Sequence, residues 1–204
     1  FQPELRRVLE QVGRVKFSGR QFAFFGANDE EKMARSVRTQ SMIQVVSESC
    51  AAMSAQKIGA LIVIERTTML GEIVKTGTVV DAQPTPELIR NIFFPNSPLH
   101  DGAMIIRDDK VYAAGCFLPL SDNQTISREM GTRHRAALGV SEVSDAVVVV
   151  VSEENGTISI ANNGEIQRGF NKETLAKELV SRLTGEETDQ PGEKKRGLFR
   201  RVKR

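Results

Sequence analysis

The chain has 204 residues, enough for one domain with a sizeable hydrophobic core. Its net charge is only +2, and residues 185–204 alone hold seven basic against four acidic side chains. The remainder is therefore close to neutral, which excludes a strongly basic nucleic-acid surface there. The sequence contains no run of about 18 apolar residues, so it predicts no membrane span. The two cysteines fit no metal-binding or redox spacing.

The first third of the chain predicts two helices and a buried strand. Residues 3–13 form an amphipathic pattern, and a mixed linker runs from Gly13 to Gly26. Asn28 then starts a long helix that we expect to end near Lys57. The continuous apolar run 60–64 predicts a central strand, so an α/β fold is expected.

The middle third predicts a short helix and a hairpin. Residues 70–82 are strand-like but are interrupted by two glycines. Thr85 and Pro86 start a helix that ends before Pro95. Two apolar segments then flank the turn at Asp108-Asp109-Lys110 and predict a β-hairpin. These hairpin strands are expected at 103–106 and 111–118.

The last third continues the alternation of helices and strands. Helices are predicted over 127–140 and from Asn171 onwards, and strands are predicted over 146–151 and 157–161. The polar and basic segment 185–204 predicts a tail without fixed structure. The domain boundaries expected from these patterns are 1–19, 20–184 and 185–204.

A first polar cluster, His100-Asp101-Gly102-Ala103, follows a proline-containing loop. An imidazole beside a carboxylate suits metal binding or proton transfer. An Asp-Gly turn with a hydrogen-bonded histidine explains the same residues structurally, and the dipeptide alone favours that reading.

A second cluster, Gly131-Thr132-Arg133-His134-Arg135, lies at a predicted helix start. Arginines near a helix N-terminus oppose the helix dipole unless an anion is bound there. Their planar donors match phosphate oxygens, so the cluster indicates a phosphate site about as strongly as a solvated basic helix end.

Ser152, Glu153 and Glu154 end the valine-rich strand, where ligands of α/β sheets often bind. The hydroxyl there could bind a terminal phosphate and a carboxylate could hold a metal ion, although an ordinary polar turn is the simpler explanation from these residues alone. The chain contains no Walker A loop, dinucleotide-binding GxGxxG loop, GxSxG motif or zinc signature.

Together, Asp101-Gly102-Ala103 and Arg133-His134-Arg135 resemble the DGA and RHR motifs of the diadenylate cyclase (DAC) domain. The likeness extends in order and spacing over roughly residues 20–180, and the chain is most similar to the membrane-anchored bacterial CdaA class. The resemblance implies a central mixed β-sheet flanked by helices on both faces. It also implies a cytoplasmic location at the cell membrane, through an N-terminal anchor, with no nucleic-acid partner.

The same resemblance implies that two ATP molecules form cyclic di-AMP and two pyrophosphates across a face-to-face homodimer, with Mn²⁺, Mg²⁺ or a similar ion such as Co²⁺. It assigns Asp101, with Gly102 and Ala103, to the activation of the 3′-hydroxyl, and His100 and Asp101 to the metal. Regulatory protein partners are also expected for this class. The further nucleotide-binding residues that it implies are Phe117, Leu118, Gly131, Thr132, Arg133, His134, Arg135, Ser152 and Glu154.

Two other functions remain open from the residues. A non-catalytic module that senses ATP or cyclic di-AMP would bind the same nucleotides, but it would not need the carboxylate of Asp101. An interaction module would use the basic tail at a membrane surface or on RNA.

Overall fold

The computed structural model describes residues 20–122 and 130–185. The chain divides into two compact units between Ser41 and Met42, and the sheet belongs to the second. The predicted helix at 3–13 and the predicted tail beyond residue 185 lie outside the described residues. The domain boundaries expected from the sequence stay predictions.

Within the described residues the elements alternate as an α/β fold. The helices are α1 (Arg20–Gln56), α2 (Gly71–Val74), α3 (Pro86–Ile92), α4 (Thr132–Val143) and α5 (Lys172–Thr184). The strands are β1 (Ala60–Ile64), β2 (Thr78–Ala82), β3 (Ala103–Arg107), β4 (Lys110–Cys116), β5 (Val147–Val151), β6 (Ile158–Asn162) and β7 (Glu165–Phe170).

The described strands form one sheet in the order β2-β4-β3-β1-β5-β6-β7. Strand β1 pairs in parallel with β3, and the remaining pairs are antiparallel, so the sheet is mixed as expected. Every residue of β1 and β5 is buried. This burial explains why both strands are uninterrupted apolar runs rather than alternating patterns.

Helices cover both faces of the sheet, which confirms the predicted layering. On one face the buried residues of α3, α5 and the second half of α1 pack on alternate strand residues such as Ile62 and Val149. On the other face α2 and α4 pack on the intervening residues such as Val63 and Val148. None of the helices in the described segments is both long enough and apolar enough to cross a membrane.

The predicted starts of α3 and α5 are confirmed by their capping contacts. The Thr85 side chain accepts a hydrogen bond from the Leu88 N–H at 3.2 Å, with Pro86 in the first turn. Asn171 and Thr174 form a reciprocal capping box, and Gly185 ends α5 in the left-handed conformation.

Three sequence predictions of local structure are wrong. Helix α1 begins at Arg20 rather than at Asn28. The residues before Asn28 are themselves compatible with helix, so the capping signal at Asn28 does not mark the helix start. The segment 70–82 is not one interrupted strand, since Gly71 begins α2 before β2 starts. Strand β7 is absent from the sequence prediction, because it lies at the sheet edge and its mostly exposed residues lack an apolar pattern.

A buried ion pair between Glu65 and Arg107 stabilises the end of the sheet at which β1 terminates. The Glu65 side chain is only 2% exposed, and it accepts hydrogen bonds from Arg107 and from the Leu70 N–H at 2.8 Å. The Arg107 guanidinium also stacks on Tyr112 at 4.1 Å. Removal of the arginine would leave a buried carboxylate without its counter-charge.

We therefore expect Arg107→Met to lower the free energy of unfolding by about 3 kcal/mol in urea denaturation. The control is Lys75→Met, which breaks the exposed Lys75–Glu72 pair and should cost less than about 1 kcal/mol. Equal losses for the two variants would contradict this assignment.

Candidate active site at one edge of the sheet

Strand register brings the predicted site residues to one edge of the sheet. Ala60 pairs with Val151, and Ala103 pairs with Cys116, while β1 and β3 run parallel. The residues just before β1 and β3 therefore lie beside the residues just after β4 and β5. We call this end of the sheet, where the strand termini meet, the polar edge; it is distinct from the edge strands β2 and β7. It contains Gly59, Asp101, Phe117 and the Ser152–Thr157 turn.

Asp101 is exposed and lies in the loop that enters β3 at the polar edge. His100, its neighbour, is half-buried, and its Nδ1 lies 2.5 Å from the Ser97 carbonyl oxygen. Because a carbonyl only accepts, Nδ1 is the donor in this contact, which leaves Nε2 as the ring nitrogen that could hold a metal ion. This arrangement, common among metal-binding histidines, fits His100 as a ligand.

Gly102 and Ala103 have packing roles at this loop. Gly102 has φ +116°, and a Cβ there would lie 2.8 Å from the Cys116 carbonyl oxygen. The missing side chain thus permits close contact with β4. Ala103 is fully buried opposite Cys116. The two residues fix the backbone from which Asp101 projects.

Phe117 lies on the polar edge with 64% of its surface exposed, although its backbone is held firmly. Its N–H donates to Thr76 Oγ1 at 2.9 Å, and that hydroxyl donates to the Ile73 carbonyl oxygen at 2.6 Å. Leu118, the next residue, is half-buried against the core. An exposed aromatic ring on a fixed backbone is suited to stacking against a planar ligand.

Helix α4 begins at the polar edge with exposed polar residues. Gly131 is its extended N-cap residue and supplies no side-chain cap, and Thr132 is exposed. Arg133 Nη1 donates to Glu153 Oε2 at 2.5 Å, which joins α4 to the turn after β5. The first turn of α4 therefore combines a guanidinium group with backbone donors, as a phosphate site requires.

The other two residues of the RHR motif point elsewhere. His134 is 3% exposed, and its Nε2 has no hydrogen-bond partner among the described residues. Burial, with a contribution from the Arg168 charge, lowers the pKa of His134. Arg135 Nη2 donates to the Ser121 carbonyl oxygen at 3.3 Å, so it holds the loop after β4.

The Ser152–Thr157 turn is attached to the end of α1. Ser152 is buried, whereas Glu153 and Glu154 are exposed. Ser54 Oγ donates to the Gly156 carbonyl oxygen at 2.6 Å. Gly156 has φ +75°, and a Cβ there would lie 2.4 Å from the Ser54 carbonyl oxygen. The turn is therefore fixed relative to the end of α1 while its carboxylates remain accessible.

Sequence reasoning misses three features of this edge: Gly59, Thr76 and the role of Glu153. A Cβ on Gly59 would lie 2.7 Å from Arg133 Nη1, so the guanidinium rests on this glycine. The glycine before the strand is visible in the sequence, but its contact arises only from register. Glu153 stands beside Glu154 in the sequence, yet nothing there indicates which carboxylate meets Arg133.

The polar edge thus brings together the Asp101 loop, the Arg133 turn and the carboxylates after β5. Strands β3 and β5 flank β1, so the Asp101 loop and the carboxylates after β5 are separated by two strand spacings, about 10 Å. Arg133 lies between them, against Gly59 just before β1. Carboxylates for a cation, a guanidinium for phosphate and an exposed ring suit a phosphorylated ligand with a planar base. Together the α/β fold and these groups are typical of a nucleotide-binding domain.

The chain belongs to the DAC family, described as DisA bacterial checkpoint controller nucleotide-binding, whose family profile matches residues 47–166. It is 46% identical over 180 residues to the cyclic di-AMP synthase CdaA of Bacillus subtilis, covering 88% of this chain and 62% of that protein. It is 43% identical over 183 residues to a diadenylate cyclase of Listeria monocytogenes, covering 90% and 63%.

Solved structures share the fold. A crystal structure of DacA from Staphylococcus aureus, a variant with two engineered cysteines, is 46% identical with a TM-score of 0.67, covering 76% of this chain and 97% of that one. A hypothetical membrane spanning protein from Bacillus cereus is 43% identical with a TM-score of 0.60, covering 62% of each chain. The chain spans less than two thirds of the two curated relatives named above.

The burial of His134 predicts a pH dependence of stability. Its folded pKa is lowered, so between the ordinary value of about 6.5 and that lowered value only the unfolded chain binds this proton. We expect the free energy of unfolding to fall as the pH drops below about 6.5, and less so in His134→Gln. The measurement is urea denaturation of both proteins between pH 7 and 5.5. An equal fall in the free energy of unfolding over this range in the two proteins would contradict this.

Proposed function

We propose that the chain is the catalytic domain of a diadenylate cyclase, a nucleotidyltransferase that converts two ATP molecules into cyclic di-AMP and two pyrophosphates. The observation that carries the proposal is the convergence of Asp101, Arg133 and the Ser152–Glu154 segment on one sheet edge. The family membership and the names of the Bacillus subtilis and Listeria monocytogenes relatives support it.

In the proposed reaction each 3′-hydroxyl oxygen attacks the α-phosphorus of the other nucleotide. A 3′-oxygen to phosphorus bond forms, the bond to the pyrophosphate oxygen breaks, and the hydroxyl proton passes to a base. Asp101 is exposed at the polar edge and is our candidate for that base. Charge neutralisation and an in-line approach, rather than covalent participation, supply most of the acceleration.

The phosphates are assigned to the start of α4 and to the turn after β5. Arg133 supplies the guanidinium charge, while Gly131, Thr132 and Ser152 supply backbone or hydroxyl donors. His134 and Arg135 are proposed to act indirectly, since one is buried in the core and the other binds the Ser121 carbonyl. Phe117 and Leu118 provide the surface for adenine.

The divalent ion is proposed to be Mn²⁺ or Mg²⁺, held by His100 and Asp101 with Glu154 nearby. The tautomer imposed on His100 by the Ser97 carbonyl oxygen fits this assignment. Among the described residues no group of three or more His, Cys, Asp and Glu side chains forms a metal cluster. Phosphate and water oxygens are therefore expected to complete the coordination; when bound, the ion neutralises phosphate charge.

The decisive experiment is incubation of the protein with ATP and Mn²⁺ and detection of cyclic di-AMP by mass spectrometry. We expect Asp101→Asn to reduce product formation by about 100-fold or more, because the general base is lost, while ATP affinity changes only a few-fold. The control Asp109→Asn makes the same chemical change at the β3–β4 turn and should retain activity.

Two outcomes would contradict the proposal. Full activity in Asp101→Asn would remove this carboxylate from its role. ATP binding by the unmodified protein without any cyclic di-AMP or pyrophosphate would instead favour a non-catalytic nucleotide sensor.

We also propose that two copies meet with their polar edges facing each other, since one site offers a single set of phosphate contacts. Specific activity is then expected to fall on dilution as the homodimer dissociates. Activity strictly proportional to protein concentration, together with a monomeric mass by sedimentation in the presence of ATP, would contradict this arrangement.

The Bacillus cereus neighbour is described as membrane spanning. With the resemblance to the CdaA class, this supports the proposal that the domain acts at the cytoplasmic face of the bacterial membrane. In that setting an N-terminal segment provides the anchor, and regulatory proteins are expected to act on the attached domain.

A further inference from the structure

Gly59 lies between α1 and β1, and the space of its missing side chain is filled by the Arg133–Glu153 ion pair. A Cβ on Gly59 would lie 2.7 Å from Arg133 Nη1, 2.9 Å from Arg133 Cζ and 2.9 Å from Glu153 Oε2. Real Cβ atoms essentially never approach other heavy atoms this closely. We propose that Gly59 is a positioning residue, which orients the Arg133 guanidinium for the phosphates through direct contact with it.

The contact at Gly59 differs from those of the other closely packed glycines. Cβ atoms at Gly102, Gly139 and Gly156 would lie nearest to backbone atoms, with distances down to 2.2 Å at Gly139. A Cβ at Gly77 would lie 2.5 Å from Cys116 Sγ and 2.6 Å from the Ala114 carbonyl oxygen. Those glycines permit the chain itself to pack. At Gly59 the three nearest atoms all belong to the ends of two flexible side chains, so the absent Cβ leaves room for the ion pair.

Glu153 is the second residue that holds the Arg133 guanidinium in place. Its Oε2 accepts from Arg133 Nη1 at 2.5 Å, and the arginine side chain is 23% exposed. With one nitrogen held by Glu153 and one side resting on Gly59, the plane of the group is fixed before any ligand arrives. Because the long arginine side chain is already ordered, it loses less conformational entropy when a nucleotide binds.

This inference rests on the proposed function, because it assumes that Arg133 contacts nucleotide phosphates. It adds a residue outside both sequence motifs and gives Glu153 an orienting role distinct from the metal and phosphate contacts assigned to Glu154. Gly59 is buried and has no positive φ, so an alanine there is expected to harm nucleotide binding through the Arg133 contact rather than through backbone strain.

The test is Gly59→Ala in the full chain, with Gly71→Ala as the matched control. A Cβ on Gly71 would have no heavy atom within 4 Å, and neither glycine has a positive φ. We expect Gly59→Ala to weaken ATP binding about tenfold and to raise KM more than it lowers kcat. Its melting temperature should stay within a few degrees of the unmodified protein's, and Gly71→Ala should bind ATP normally.

The second arm repeats the substitution in an Arg133→Ala background, where no guanidinium remains to be displaced. There we expect Gly59→Ala to leave ATP affinity unchanged, as a coupled pair requires. Unchanged affinity in Gly59→Ala alone, or the same tenfold loss with and without Arg133, would overturn the inference. Absence of ATP binding by the unmodified protein would overturn the proposed function first.

Discussion

The pairing of β1 with β3 on one side and β5 on the other is the constraint on which the site depends. All five residues of β1 and of β5 are buried, so both faces of these strands are committed to the core. A slip of one residue would exchange the two faces and misalign the strand ends. Because β1 and β3 run parallel while β5 runs against them, three separate segments meet at one edge.

Close backbone contacts then fix the loops that project from this edge. The Asp101 loop is pressed onto β4 through Gly102, and the turn that carries Glu153 is attached to the end of α1 through Gly156 and Ser54. Each contact uses a glycine with positive φ, a conformation that other residues adopt only at a cost. The polar side chains are therefore mounted on rigid backbone, which suits a reaction that depends on alignment.

Sequence reasoning is sufficient for the elements that carry strong periodicity or capping signals. The apolar runs of β1 and β5, the Thr85 cap and the hairpin of β3 and β4 are confirmed. Edge strand β7 escapes it, because its exposed residues contain no apolar alternation. Both motif clusters are visible as unusual local chemistry, but the contact of Gly59 with Arg133 is not, since it joins residues far apart in the sequence.

The RHR motif illustrates how one helical turn can serve three purposes. Successive residues of an α-helix project about 100° apart, so three neighbouring side chains leave the helix in different directions. Arg133 points to Glu153 and the polar edge, His134 enters the core, and Arg135 reaches the Ser121 carbonyl oxygen after β4. Of the three side chains, Arg133 is the one that contacts Glu153 and Gly59 at the polar edge.

The other two residues of the motif bind the helix to its surroundings, one by burial and one by a carbonyl contact. The positive charge of the tripeptide therefore does not imply three phosphate ligands. Loss of the Arg135 side chain would remove one of the contacts that hold Ser121, which also bonds to the Arg135 carbonyl oxygen and to Glu142. Loss of His134 would leave a cavity beneath the first turn. Both changes would act on the first turn of α4, which carries Arg133, and so would reach the proposed phosphate contact only indirectly.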